Sequence, residues 1–246
     1  MARLSLEGLA RAFCIAKKDA KAYYFKAPNF TYALLMPVSL FLAFSIAGTV
    51  DPRSIAPGLT SLVILFGTTS IEAVAVVLER QTGTFERLLA APISLSTILL
   101  GKVLAGLLFG SVIGAAVFAP LALASGASAD PLMALLAIAF SSLSFSALGV
   151  LASAHAKWVP EAQMFANLLR FPMAFLSGAF LPLELMPPQL RPIARLMPLT
   201  YSVEALRMSM EGARAASAYS MDLLILALYT LAFLSIATSV LKRKIE

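Results

Sequence analysis

The chain has 246 residues, 60% hydrophobic and 13% charged, with mean hydropathy +0.87 and net charge +6. Soluble domains carry about 45–50% apolar and about 25% charged residues, so a soluble globular protein is excluded. Apolar runs long enough to cross a bilayer recur without strand-like alternation, which excludes a β-barrel and predicts an all-α, polytopic membrane protein. The basic excess sits beside those runs, where it sets orientation, so nucleic acid is not an expected partner. The single cysteine, Cys14, leaves no intrachain disulfide.

Residues 1–29 are basic, and their charges continue through Lys26, so no cleavable signal sequence is expected. Leu6, Leu9, Phe13, Ala16, Ala20 and Tyr24 recur at helical spacing, with Glu7, Arg11 and Lys18 opposite. This predicts an amphipathic helix lying in the membrane interface, or one that binds a soluble partner. Span 1 is expected over residues 30–50, with Pro37 inside it, then a short turn over 51–57 and span 2 over 58–78. Glu79–Ser94 is the most charged interruption of the apolar pattern. There Thr84 is expected to cap a short helix with Glu86 in its first turn, and Pro92 to end it. Phe85, Leu88 and Leu89 give that helix one apolar face, while Glu86 and Arg87 stay wet. Two turns do not hold in water unaided, so the element rests on membrane, bundle or partner, or is a plain connecting loop.

Span 3 is expected over residues 97–124, with Lys102 near one end and able to snorkel. Gly106, Gly110 and Gly114 allow close helix approach in it, a packing signal, and Ser142, Ser146, Gly149 and Ser153 form a second small-residue packing stripe in span 4, residues 132–154. The loop that follows holds the only histidine, His155, with no second ligand to make a metal site, and an interface anchor in Trp158. Span 5 is expected over residues 162–181, bending at Pro172 and Gly178. Residues 182–220 form the longest non-spanning segment, proline-rich and then helical from Thr200 to Gly212; its semi-apolar character predicts a partial dip toward the membrane. Span 6 covers 221–241 and leads to a basic tail.

Six spans put both termini on one side. That side carries Arg3, Arg11, Lys17, Lys18, Lys21, Lys26, Arg80, Arg87, Lys102, Lys157, Lys242, Arg243 and Lys244; the other carries Arg53, Arg191, Arg195, Arg207 and Arg214. Positive charge marks the cytosolic side, so the termini and Glu79–Ser94 are expected in the cytosol of a cell-membrane protein, and residues 182–220 outside. Glu72 in span 2 and Arg170 in span 5 fall at similar depth, ~9–12 Å from the cytosolic surface. An unpaired charge there costs about 2.5–3.5 kcal/mol, which suggests a pair or a shared aqueous cavity, or else a structural clamp with a snorkelling arginine. Gln163, Asn167 and Arg170 form one polar stripe facing the interior or a translocation path.

The chain contains no GxxxxGK[ST], HExxH or GxSxG, and Gly101–Lys102 is followed by Val103. With one histidine and one cysteine, no catalytic centre is expected, and ATP-driven work would need another subunit. Two stretches do carry a resemblance. One is Glu79, Arg80, Gly83, Thr84, Glu86, Leu88, Leu89, Pro92 and Ser94, directly after the second span. The other runs from Phe171 to Arg207 with Ser177, Gly178, Pro182, Pro187, Pro198, Tyr201, Glu204 and Arg207. In this order, over essentially the whole chain, the sequence resembles the ABC-2 type permeases, the membrane subunits of type V ABC exporters.

The resemblance implies that residues 79–94 are a coupling helix docked in a groove of a separate ATPase. Phe85, Leu88 and Leu89 would fill the groove and Glu79, Arg80, Glu86 and Arg87 would rim it. Residues 1–29 would be the connecting helix, and 182–220 short re-entrant helices at an external gate. Two permeases, like or unlike, would pair with two ATPases that carry ATP and Mg; the permease itself would hold no cofactor or metal. Spans 2 and 5 would line the path, where Glu72, Gln163, Asn167 and Arg170 lie. The cargo class implied is amphipathic, lipid-linked, drug-like or polysaccharide. The alternatives are a stand-alone secondary transporter or channel using Glu72 and Arg170, although the two halves show no convincing internal repeat, and a membrane-embedded enzyme, which the missing catalytic groups disfavour.

Overall fold

Helices account for all regular structure among the described residues, which are 6–24, 27–46, 52–126, 129–180, 183–211 and 216–245 of a computed structural model. In chain order they are α1 (Leu6–Asp19) with a π-helical turn (Ala20–Tyr24), α2 (Ala27–Ile46), α3 (Pro52–Gln81), α4 (Thr84–Leu89), α5 (Leu95–Ala124), α6 (Pro131–His155), α7 (Val159–Leu176), a 3-10 turn (Leu183–Leu185), α8 (Arg191–Arg195), α9 (Pro198–Glu211) and α10 (Ala216–Ile245). By length and composition four are fit to cross a membrane: Ala56–Gln81, Leu95–Ala124, Pro131–His155 and Ser217–Lys244. The protein is thus all-helical and membrane-embedded.

α3 is the central pillar. In its most apolar window 89% of residues are buried, against 17% for α10, which turns Leu224, Leu228, Leu231 and Ile236 outward. α2, α5, α6, α7 and α9 all pack on α3. The small-residue stripes pack closely: a Cβ on Gly106 or Gly110 of α5 would strike Ser146 or Ser142 of α6, one on Gly114 would sit 2.9 Å from Ile138, and one on Gly149 of α6 would meet Thr69 O of α3 at 2.7 Å. α5 and α6 therefore meet nearly backbone to backbone.

Local chemistry sets the ends. Ser94 caps α5 by accepting from Thr97 N at 3.2 Å. Asp130 caps α6, accepting from the amides of Leu132 and Met133, with Pro131 preset for the first turn. Several boundaries differ from expectation. No turn separates spans 1 and 2 at residues 52–57, because α3 begins at Pro52 and takes Pro57 near its start, where few intrahelical bonds are lost. α7 starts at Val159, before the expected residue 162, and ends at Leu176; Gly178, at φ 85°, lies beyond the helix and does not bend it. The helix expected from Thr200 starts at Pro198. Residues 47–50 of the expected span 1 and residue 212 lie outside the described residues.

Candidate functional site

Glu79–Ser94 forms the short helix α4 on a loop between α3 and α5. Its N-cap is Gly83 at φ 70°, with no side-chain cap, so the expected capping role of Thr84 is corrected: Thr84 is the first helical residue. A left-handed turn suits glycine and reverses the chain in two residues, which a threonine cap in extended geometry does not do. The helix ends at Leu89, three residues before Pro92. Phe85 is buried against Ile15 of α1 and Ile98 of α5, with Leu88 and Leu89 half-buried beside it. Its ring is spent inside the chain and is not free to fill a partner's groove. Glu86, Arg87, Ala90 and Pro92 face outward. Arg11 of α1 donates to Pro92 O at 2.5 Å and closes the loop over α1.

Beneath α4 lies a cluster of four charges. Lys102 Nζ is 3.0 Å from Asp19 Oδ2 and 2.6 Å from Glu79 Oε2; Lys18 Nζ is 2.6 Å from Glu79 Oε1. Lys18 also lies 2.9 Å from Asp19 Oδ1, close enough for attraction but off the line of a hydrogen bond. Lys102 and Glu79 are 0% exposed and Asp19 is 1%, while Lys18 stays 41% exposed. Two readings are corrected here. Lys102 does not snorkel to the surface, and Glu79 does not rim a groove, because both are fully buried and each satisfies the other. Burial alone would lower Lys18, but its hydrogen bond to Glu79 and the attraction of Asp19 and Glu79 more than offset it and hold its ammonium above the usual range. The cluster is complete only with α1 in place, since Lys18 and Asp19 belong to it. The buried arc of α1 runs through Ala12, Ile15, Ala16 and Asp19 and continues in Ala20 and Tyr24. Leu9 and Phe13, expected on the same face, are exposed instead, and the side chain of Leu6 lies outside the described residues. The arc shifts because α1 rests on Gly101, where a Cβ would come 2.8 Å from Ala12 O.

Deeper in, the expected pair of Glu72 with Arg170 is replaced by two separate arrangements. Glu72 Oε1 accepts from the Tyr24 hydroxyl, and its Oε2, fully buried, has no hydrogen-bond partner. Arg170, fully buried, donates to Ser70 Oγ, Phe66 O, Ala166 O, Gln163 Oε1 and Asn167 Oδ1, and lies 5.1 Å from the Phe66 ring centroid. Gln163 adds a bond to Ser70 O at 3.3 Å. The polar stripe of α7 is therefore real, but it clips α7 to the backbone of α3. The five donors of a guanidinium suit it to hold several acceptors at once.

The Phe171–Arg207 stretch ends in α9, which inserts between α3 and α6. Ser141 Oγ donates to Ser202 Oγ at 2.7 Å, and Ser202 to Ser61 Oγ at 2.9 Å. At the other end Asp130 N donates to Ser209 O at 2.8 Å. Ser141 lies ten residues into α6 from Pro131, so α9 starts roughly 15 Å below that end of the bundle and climbs back. Tyr201 donates to Arg195 O at 2.6 Å; Glu204 and Arg207 are half-buried on the same helix, and Pro198 is buried. Ser177 is buried with its hydroxyl unpartnered, and Pro182 lies outside the described residues. Sequence reasoning missed Asp19 and Tyr24. Asp19 was findable as the lone acid in a run of lysines; Tyr24 had no signal beyond its place on the apolar face.

A family model described as ABC-2 type transporter matches residues 9–210. Two curated relatives share the name Nodulation protein J. The one from Rhizobium leguminosarum bv. viciae is 31% identical over 114 residues, covering 46% of this chain and 44% of its own length. The one from Neorhizobium galegae is 29% identical over 134 residues, covering 54% and 51%. The matches thus span about half the length of these relatives.

Proposed function

Because this chain belongs to the ABC-2 type transporter family, we infer that it is the permease subunit of an exporter driven by a separate ATPase. The observation that carries the reading is the build of α4. A two-turn helix is anchored from below by Phe85 and Glu79, and it presents Glu86, Arg87, Ala90 and Pro92 as a rigid outward face. Such a helix is suited to receive force from a partner, since its docking does not depend on that partner. In this reading α2 and α7 complete six spans, because 20 and 18 residues reach ~27–30 Å. The termini and α4 are cytosolic, and the dip of α9 supports a re-entrant external gate. Two permeases, like or unlike, work with two ATPases that hold the nucleotide and Mg²⁺. Cargo of the amphipathic, lipid-linked, drug-like or polysaccharide kind would pass along the α3–α7 side.

The test is co-purification of the tagged chain with an ATPase from its own host. Wild type should retain a vanadate-sensitive ATPase, and Glu86→Lys or Arg87→Glu should release it while amide protection of α4 stays unchanged. Phe85→Ala should act differently, loosening α4 itself by about 3–5 kcal/mol through the cavity it leaves. Transport by the purified chain alone on an ion gradient, with no ATPase present, would overturn the reading.

A further inference from the structure

The last carbonyls of an α-helix have no acceptor role within it, and near a membrane surface water can satisfy them. At the end of α6 side chains do so instead. Lys244 Nζ, from the end of α10, donates to Ala154 O at 2.9 Å and His155 O at 3.0 Å. Arg80 Nη1 donates to Ala156 O at 3.1 Å, and Gln81 Nε2 to Lys157 O at 3.2 Å. Four successive carbonyls are held from two distant parts of the chain. Two of the donors are cations, placed where the helix dipole is negative.

The joint leads directly into α7. Lys157 N donates to Glu161 Oε2 at 2.8 Å in the first turn of α7, and Gln163 follows at once with its bond to Ser70 O. Beyond its polar clip, α7 turns Ala162, Ala166, Met173 and Ala174 into the bundle and leaves Met164, Leu168, Phe171 and Phe175 exposed. Glu79 and Arg80 are adjacent but reach opposite ways. Glu79 enters the charge cluster under α1 and α5, and Arg80 grips the end of α6. A displacement of α4, which begins four residues after Arg80, therefore acts on both sides of the bundle.

We propose that Arg80 and Gln81 tie the end of α3, and through it α4, to the α6–α7 joint that Lys244 fastens to α10, so that movement of α4 turns α7 against α3. Arg80 and Lys244 are then positioning residues for transport that touch neither cargo nor nucleotide. This rests on the permease reading.

The experiment uses the full chain in nanodiscs with its co-purified ATPase. Amide exchange is compared between the ADP state and the state trapped with ATP and vanadate. In wild type, trapping should change exchange in both residues 84–89 and residues 156–162, by roughly tenfold at the joint, the scale of one charge-assisted hydrogen bond. In Arg80→Gln/Lys244→Gln the response at 84–89 should remain and that at 156–162 should vanish. Arg80→Lys/Lys244→Arg should restore it, and Arg243→Gln, a neighbouring exposed cation, should leave it intact. A joint that still responds in the double variant overturns the proposal. So does equal loss at both segments, which would mean that these residues merely hold the fold. Absence of any co-purifying ATPase, or of any trapping response in wild type, overturns the permease reading itself. If the double variant does not insert, Arg80→Gln alone gives the same comparison.

Discussion

Replacing Lys102 by methionine removes the ammonium that lies 3.0 Å from Asp19 and 2.6 Å from Glu79, and leaves two buried carboxylates. Breaking a buried pair by removing one partner costs about 3–5 kcal/mol. Lys18 still reaches both acids, which holds the cost near the lower end, ~3 kcal/mol. The chain can relieve that cost by lifting α1, because this returns Asp19 to water. The effect should therefore appear as local opening of residues 12–20 and not as global unfolding. At 1.4 kcal/mol per tenfold, amide exchange there should quicken about a hundredfold. Hydrogen–deuterium exchange in nanodiscs reads it directly. Lys18→Met, which removes a half-exposed partner, should change exchange by less than about fivefold, as screened pairs do. Asp19→Leu/Glu79→Leu/Lys102→Met should recover most of the protection, because a packed apolar replacement of a buried ion set is often neutral. A change under about threefold in Lys102→Met, or one equal in Lys18→Met, would refute the reasoning.

Tyr24→Phe should destabilise the protein by about 1–3 kcal/mol, since it strips the one hydrogen bond of a buried carboxyl, and adding Glu72→Met should remove most of that penalty in a thermal melt. Gly149→Ala should cost about 1–3 kcal/mol, because the new Cβ meets Thr69 O at 2.7 Å and backbone yields poorly; Gly67→Ala, which meets side chains at 3.1 and 3.3 Å, should cost less in the same melt. The share of α1 docking carried by Lys18 should persist across neutral pH. A raised ammonium pKa is a stabilising term present below the ordinary value of 10.5 and lost only as pH rises past the folded-state value, so α1 exchange should speed up on that account only in strong alkali.

The helix content, the small-residue stripes and the short helix within residues 79–94 were legible in the sequence, whereas the apolar face of α1 was not, since Leu9 and Phe13 are exposed. Periodicity and composition act locally, and the Gly106–Gly110–Gly114 and Ser142–Ser146–Gly149 stripes could be read as packing surfaces before their partners were known. Charges were read less well. Lys102 and Glu79 looked like surface residues because each sits within a few residues of an apolar run's end, the usual place for a wet charge. Sequence carries no record of a partner 83 residues away, which is the separation of Asp19 from Lys102. The Glu72–Arg170 pairing failed for the same reason. Equal depth along two helices says nothing about rotation around them, and rotation set Glu72 toward Tyr24 and Arg170 toward the carbonyl of Phe66.

By itself the sequence determined that this chain lives in a membrane as helices, and that one short charged element breaks their run, because a bilayer core tolerates few alternatives to apolar helices. Only the tertiary structure decided which charges face water. An ammonium and two carboxylates can be buried when three separate segments converge on one point, and such convergence is a property of packing and not of neighbourhood along the chain.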